Sequence, residues 1–153
     1  MSTLSCQSVS DVIDFAIEKE EKTAEFYRKC AEHAKHPGIK EFFLEMVAEE
    51  QSHSEMLKNL DSLNLDDIKL SQVENLKISD YLVDVAFSED ITYQDALIIA
   101  MKKEEKALAF YAGWKDKCMN EKASKLFQLL ENEEEKHKRK LEKLYDQDIL
   151  GWD

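Results

Sequence analysis

Glycine and proline are scarce in this chain, which contains three glycines and a single proline, Pro37, among 153 residues. Tight turns depend heavily on these two residue types, so the sequence has few places for such turns. Charged residues make up 35% of the chain, and the many Glu and Lys among them favour long helices with solvated faces. The sequence therefore predicts an all-α fold, and its length is that of one ordinary domain.

An excess of positive charge is also lacking. The formal net charge is −12, which opposes binding to a phosphate backbone, and no basic stripe with interleaved aromatic residues reverses it locally. No apolar run approaches the roughly 20 residues needed to cross a bilayer, and the first seven residues lack the regions of a secretory signal. We therefore expect neither a nucleic-acid partner nor a membrane partner.

Closely spaced cysteines are absent. Cys6, Cys30 and Cys118 are far apart and odd in number, and there is no Cys-x-x-Cys pair to hold zinc, iron or a redox disulfide. This usage fits a reducing compartment, so we expect a cytoplasmic protein. Trp114 and Trp152 indicate a contact in a homodimer.

Helical periodicity is clear at both ends of the chain. A first helix can be capped by Ser8 or Ser10, and its apolar residues recur every three or four positions until the turn at 36–38. A second helix of the same kind covers about 39–60. The short Pro-Gly turn makes the two helices an antiparallel hairpin.

A long connection precedes the second half. Its periodicity is weak apart from a possible short helix near 80–87, and about 30 residues is too many for a simple turn. A third helix starts after Thr92 and ends near 117–121, and a fourth covers about 122–145. The predicted order is a hairpin at about 9–60, a crossover along the bundle at about 61–91, a second hairpin at about 92–145, and a short tail.

The two hairpins repeat one another in sequence. A shift of 84 residues aligns them without a gap. The shift places Lys19-Glu20-Glu21-Lys22 on Lys103-Glu104-Glu105-Lys106, Phe26-Tyr27 on Phe110-Tyr111, Glu49-Glu50 on Glu133-Glu134, and His53 on His137. Two copies of a helical hairpin predict a bundle with a pseudo-twofold axis, so residues near that axis are contributed twice.

Each hairpin carries the same candidate metal ligands. The first helix has a Glu on its apolar stripe, and the second has a Glu-x-x-His pair, whose two side chains share one helix face. The six residues are Glu20, Glu50, His53, Glu104, Glu134 and His137. A single Glu-x-x-His pair is usually just a solvated surface, but this pair recurs and lies on an apolar stripe both times.

Buried carboxylates require counter-charges. Four ionised carboxylates in an apolar core would repel one another and lose hydration unless cations lay between them. Oxygen and imidazole ligands suit two iron or manganese ions, and zinc can also enter such a site. Glu21 and Glu105 also repeat, but they lie about 100° from the stripe centre and are weaker candidates.

With these residues the chain resembles the ferritin-like di-iron carboxylate family, in particular rubrerythrin-type domains without the rubredoxin module. The resemblance spans about 10–145 and implies a four-helix bundle with two metal ions, usually iron. It implies terminal ligands at Glu20 and Glu104, bridging ligands at Glu50 and Glu134, and one capping histidine per ion at His53 and His137. It also implies that Tyr27 and Tyr111 donate hydrogen bonds to ligand carboxylates, although both also fit as ordinary core tyrosines.

The family resemblance implies redox chemistry. The expected function is reduction of hydrogen peroxide, or reaction with oxygen, in oxidative-stress defence, with an external electron donor that the sequence does not identify. Two departures weigh against NADH-linked turnover: the cysteine-rich electron-entry domain is missing, and Ala107 stands where the family has a further Glu. The alternatives are ferroxidase-like iron oxidation and handling, and a metal-binding helical interaction module without catalysis.

Overall fold

Four long helices form the structure, a computed structural model that describes residues 9–61, 87–117 and 121–150. The helices are α1 (Val9–His33), α2 (Pro37–Asp61), α3 (Tyr93–Trp114) and α4 (Glu121–Tyr145), followed by a π-helical segment, Asp146–Leu150. The described residues contain no strand, which confirms the all-α prediction. None of the described helices is long and apolar enough to cross a membrane.

The turn between α1 and α2 lies two residues earlier than predicted, at 34–36 rather than 36–38. Pro37 and Gly38 are the first two residues of α2 rather than turn residues. Proline suits a helix start because the first turn needs no intrahelical N–H and because the proline φ angle is already helical. His36 caps the helix, since its carbonyl accepts from Lys40 N at 3.0 Å and its Nδ1 accepts from Gly38 N at 3.2 Å. The antiparallel hairpin is confirmed, with α2 starting two residues early.

The second hairpin begins after Thr92, as predicted. Thr92 Oγ1 accepts a hydrogen bond from Asp95 N at 3.0 Å, which satisfies one of the unpaired N–H groups at the start of α3. Tyr93 OH donates to Asp148 at 2.7 Å, which ties the π-helical segment to α3. Residues 62–86, which make up most of the predicted crossover and nearly all of the predicted short helix at 80–87, lie outside the described residues.

Two apolar clusters fill the bundle, and a polar layer separates them. One cluster includes Ile13, Leu57, Phe110 and Phe127, and the other includes Ala24, Phe43, Leu97 and Leu141. The 84-residue shift moves Phe43 to Phe127 and Leu57 to Leu141, so it exchanges the clusters, as the predicted pseudo-twofold axis requires. Trp114 is buried in the first cluster. This corrects its assignment to a dimer surface, while Trp152 lies outside the described residues.

Candidate metal centre

Six ionisable side chains meet in the polar layer between the two apolar clusters. α1 contributes Glu20 and α3 contributes Glu104, while α2 and α4 each contribute a Glu and a His three residues apart. These six residues are Glu20, Glu50, His53, Glu104, Glu134 and His137, and none is more than 3% exposed. They are the six candidates from the sequence, because each lies on the inward stripe of its helix.

The six side chains form two overlapping groups in which one potential ligand atom per residue lies within 4.8 Å of the others. The first group contains Glu20, Glu50, His53 and Glu134, and the second contains Glu50, Glu104, Glu134 and His137. Glu50 and Glu134 belong to both groups. Two neighbouring cations that share two carboxylates would need this arrangement.

Both imidazole rings turn Nδ1 toward the carboxylates. His53 Nδ1 is 3.0 Å from Glu20 Oε1 and 3.7 Å from Glu134 Oε1. His137 Nδ1 is 2.8 Å from Glu50 Oε1 and 3.1 Å from Glu134 Oε1. The rings are nearly parallel, with centroids 5.5 Å apart and an interplanar angle of 17°. Each ring therefore presents one nitrogen to the centre of the layer.

Several atoms of this layer have no hydrogen-bond partner among the described residues. These atoms are both carboxylate oxygens of Glu50 and of Glu134, Oε1 of Glu104 and Nδ1 of His137. The short approaches to His137 Nδ1 are contacts between charges, since they lack hydrogen-bond geometry. Burying polar atoms without partners costs about 1–3 kcal/mol each. Hard oxygen and imidazole nitrogen atoms that converge without protein partners fit a pair of divalent first-row metal ions.

Without cations, protons must neutralise the site. Burial and the charges of Glu20 and Glu104 raise the pKa of Glu50 well above its ordinary value. The pKa of Glu134 rises for the same reasons. Burial acts to lower the pKa of His137, but the neighbouring carboxylates of Glu104 and Glu134 outweigh it and raise that pKa to about 11. Metal binding would therefore release protons from these groups.

Two tyrosines connect the hairpins across the site. Tyr27 on α1 donates from its hydroxyl to Glu104 Oε2 on α3 at 2.5 Å, and Tyr111 on α3 donates to Glu20 Oε2 on α1 at 3.2 Å. Burial and nearby carboxylates raise the pKa of both hydroxyls well above the ordinary value, so both stay protonated donors. The sequence predicted hydrogen bonds to ligand carboxylates, but not that each would cross to the opposite hairpin.

The weaker candidates point away from the site. Glu21 pairs with Lys58 at 2.8 Å on the outer side of α2, and its side chain is about half exposed. Glu105 is more exposed and lies 3.6 Å from Lys138. Ala107 is buried in the first apolar cluster.

Two residues near the site were missed by sequence reasoning. Lys19 is only 8% exposed, and burial lowers its pKa although the surrounding carboxylates oppose the shift. Glu49 Oε1 lies 2.5 Å from His137 Nε2. Both belong to repeated motifs, but their patterns resemble solvated helix faces, so the sequence held no signal that separated them from surface charges.

A cavity lies at the end of the bundle, beside the α1–α2 turn. Its volume is about 550 Å³, and its lining includes Cys30, His33, His36 and Tyr93. His33 and His36 are exposed. Cys30 is a buried free thiol, whose pKa burial raises to about 12. Cys6 and Cys118 lie outside the described residues.

Comparisons with known proteins agree with this architecture. The rubrerythrin family model matches residues 11–145. The chain is similar to a candidate ferritin-like diiron-carboxylate protein from Thermotoga maritima, with 28% identity, a TM-score of 0.71 and coverage of 90% of this chain and 94% of that one. It also shares its fold with a hypothetical protein from Pyrococcus furiosus, with 24% identity, a TM-score of 0.70 and coverage of 91% and 89%. No curated protein matches the chain.

Proposed function

The chain belongs to the rubrerythrin family, and on that premise we propose that it is a di-iron carboxylate enzyme that reduces hydrogen peroxide, or reacts with oxygen, in oxidative-stress defence. One observation carries the proposal. Two overlapping groups of buried ligand atoms share Glu50 and Glu134, and the oxygens of both shared residues have no hydrogen-bond partner among the described residues. This geometry supports two ions at one site.

The ligand roles follow from group membership. Glu50 and Glu134 would bridge the ions because they belong to both groups. Glu20 with His53 would complete one position, and the corresponding pair, Glu104 with His137, would complete the other. A ferrous pair bound there would supply the two electrons that, with two protons, convert hydrogen peroxide into two molecules of water. An external donor would return the electrons.

Burial favours a small substrate. The six ligand candidates are at most 3% exposed, and the apolar clusters enclose them on both sides. A large organic substrate cannot reach these atoms without opening the bundle, whereas peroxide and oxygen are small enough to diffuse through a packed core. The enclosure also excludes bulk water, which strengthens every charge interaction inside.

The four candidate carboxylate ligands differ in how firmly hydrogen bonds from the protein fix their positions. Tyr27 and Tyr111 hold Glu104 and Glu20 in place through their hydroxyls. Among the described residues, the carboxylates of Glu50 and Glu134 accept no such hydrogen bond. They would therefore be freer than Glu20 and Glu104 to adjust when the charge of a bound metal pair changes, which would suit a site that alternates between two redox states.

The test combines metal analysis with a peroxide reaction. The protein is loaded anaerobically with Fe²⁺, its iron is measured by elemental analysis, and the absorbance of oxidised iron is followed after adding peroxide or oxygen. We expect about two irons per chain and faster oxidation by peroxide than by oxygen. Glu104→Gln should lose iron and the response, whereas Glu105→Gln, which changes the neighbouring exposed carboxylate, should behave as wild type.

Other results of this experiment would support one of the two alternative functions. Faster oxidation by oxygen, with turnover of added Fe²⁺ in a particle of high mass, would indicate iron oxidation and handling. No bound metal, or tightly bound zinc without a peroxide response, would overturn the enzymatic proposal and indicate a helical interaction module.

A further inference from the structure

Glu49 connects the surface of the bundle to the buried centre. It precedes Glu50 on α2 and reaches α4, where its Oε1 lies 2.5 Å from His137 Nε2. The other ring nitrogen of His137, Nδ1, faces the carboxylates of the metal centre. An imidazole that donates Nε2–H to a carboxylate carries its lone pair on Nδ1. The contact therefore selects the tautomer and ring orientation that can bind an ion.

Among the described residues, His53 has no counterpart of this contact. The 84-residue shift places Glu49 on Glu133, which instead pairs with Lys136 of its own helix at 3.1 Å. Within the part of the chain that the structure describes, the carboxylates near His53 all approach its Nδ1. The pseudo-twofold symmetry of the site is therefore broken at the outer nitrogens of the two histidines.

A nearby lysine adds to the difference between the surroundings of His137 and those of His53. Glu49 Oε2 lies 3.7 Å from Lys140 Nζ, so the carboxylate sits between a cation and the histidine. The same shift places Lys140 on Met56, an apolar residue that has no charge to offer. Both members of the Lys140–Glu49 pair thus act on the His137 side of the centre. The sequence repeat alone would have predicted equivalent metal positions.

We propose that Glu49 is a positioning residue that orients His137 and strengthens it as a ligand, so that the ion held by Glu104 and His137 binds more tightly than the ion held by Glu20 and His53. The inference rests on the proposed di-metal function and goes beyond it by ranking the two positions. Loss of a carboxylate partner of a ligating histidine typically weakens metal affinity about 10–100-fold.

The test is a calorimetric titration of the full metal-free chain with Co²⁺, with the visible absorbance of Co²⁺ recorded in parallel. Wild type should show two binding events of different affinity. Glu49→Ala should weaken the tighter event about 10–100-fold and leave the weaker one unchanged. Glu49→Gln, which keeps an acceptor oxygen but removes the charge, should fall between. Glu133→Ala, the symmetry-related control, should match wild type.

A spectroscopic readout separates positioning from a general effect on the fold. In Zn²⁺-loaded protein with ¹⁵N-labelled histidine, the Nε2–H proton of His137 should resonate downfield because of its short hydrogen bond. Glu49→Ala should move this signal alone, and Glu133→Ala should not move it.

The outcomes distinguish this inference from the function on which it rests. Two Co²⁺ events of unchanged affinity in Glu49→Ala would overturn the role of Glu49 and leave the di-metal function standing. Equal weakening by Glu49→Ala and Glu133→Ala would overturn the asymmetry. A wild-type chain that binds no Co²⁺, Mn²⁺ or Fe²⁺ would overturn both.

Discussion

At the scale of single residues, the candidate metal centre is held by hydrogen bonds that cross the bundle. Tyr27 and Tyr111 each hold a carboxylate of the opposite hairpin, so each hydroxyl fixes one ligand and links two helices at the same time. A hydrogen bond to a charged group contributes about 1.5–3 kcal/mol, more than a neutral one. The shorter contact, from Tyr27, should matter more.

Removing these hydroxyls should affect the two metal positions separately. We expect Tyr27→Phe to weaken the ion held by Glu104 and His137 by about tenfold or more, and Tyr111→Phe to weaken the other ion by less. Titration with Co²⁺ measures both affinities. Tyr145→Phe is the control, because that hydroxyl contacts Gln94 far from the six ligands. If both variants weakened the same ion, the assignment of one tyrosine to each position would be wrong.

The thiol of Cys30 provides a pH-dependent prediction. Burial raises the pKa of this thiol to about 12, so in the folded protein the reactive thiolate is scarce at pH 8 and grows about tenfold per pH unit. The rate of alkylation at Cys30, followed by mass spectrometry, should therefore keep rising from pH 8 to pH 10. In urea the same rate should level off near pH 9. A plateau near pH 9 in the native protein would contradict the burial of this thiol.

The residues that sequence reasoning found and missed differ in a physical way. The six ligand candidates lie on apolar stripes, and a charged residue on such a stripe must point inward, whichever helices pack together. Glu49 and Lys19 lie at the edges of their stripes. Whether an edge residue meets a neighbouring helix or water depends on how the helices are packed, which periodicity along one helix does not contain.

At the scale of the elements, local signals located the start of α3 but misplaced the start of α2. The start of α3 after Thr92 was predicted correctly, and the structure shows that the Thr92 hydroxyl caps the helix by accepting from the N–H three residues later. Pro37 and Gly38 were misassigned, because Pro-Gly is both a turn signal and a permitted helix start. The π-helical segment was not predicted, since it is held by a contact between Tyr93 and Asp148 that lie 55 residues apart.

The cap of α3 can be tested by one substitution. Thr92→Ala leaves the N–H of Asp95 without its acceptor, which should cost about 1 kcal/mol of unfolding free energy. For a chain of this length the melting temperature should fall by about 2–4 °C. Thr92→Ser keeps the hydroxyl and should melt close to wild type. Thermal unfolding of the metal-free proteins by circular dichroism checks both, and equal melting of Ala and Ser variants would show that the cap contributes nothing.

At the scale of the whole molecule, the buried ionisable residues, whose burial opposes folding, lie where the two hairpins meet. Apolar clusters on both sides supply the stability, since each buried Phe or Leu contributes about 1.5–3 kcal/mol. The polar layer between them opposes folding until its charges are neutralised. Duplication of one hairpin explains why the ligands come in pairs, and the Lys140–Glu49 pair shows that the two halves have since diverged.

Substitution of a shared carboxylate should separate stability from metal binding. Burial and neighbouring carboxylates raise the pKa of Glu50 well above its ordinary value, which in metal-free protein favours the neutral acid, a group similar in size and polarity to the amide of Gln. Glu50→Gln should therefore melt, without metal, within about 2 °C of wild type. Free Mn²⁺ at 100 times its dissociation constant should stabilise wild type by about 2.7 kcal/mol for each bound ion, or roughly 5–10 °C for each.

The same variant discriminates bridging from terminal ligands. Glu50→Gln should lose the Mn²⁺-dependent rise in melting temperature and retain neither ion by elemental analysis, because Glu50 belongs to both ligand groups. His53→Ala should lose mainly one ion and about half of the rise, because His53 belongs to one group only. Full occupancy of both positions in Glu50→Gln would show that Glu50 does not bridge. The two ligand groups would then be independent sites. Their carboxylates could not couple the two ions during a two-electron reaction.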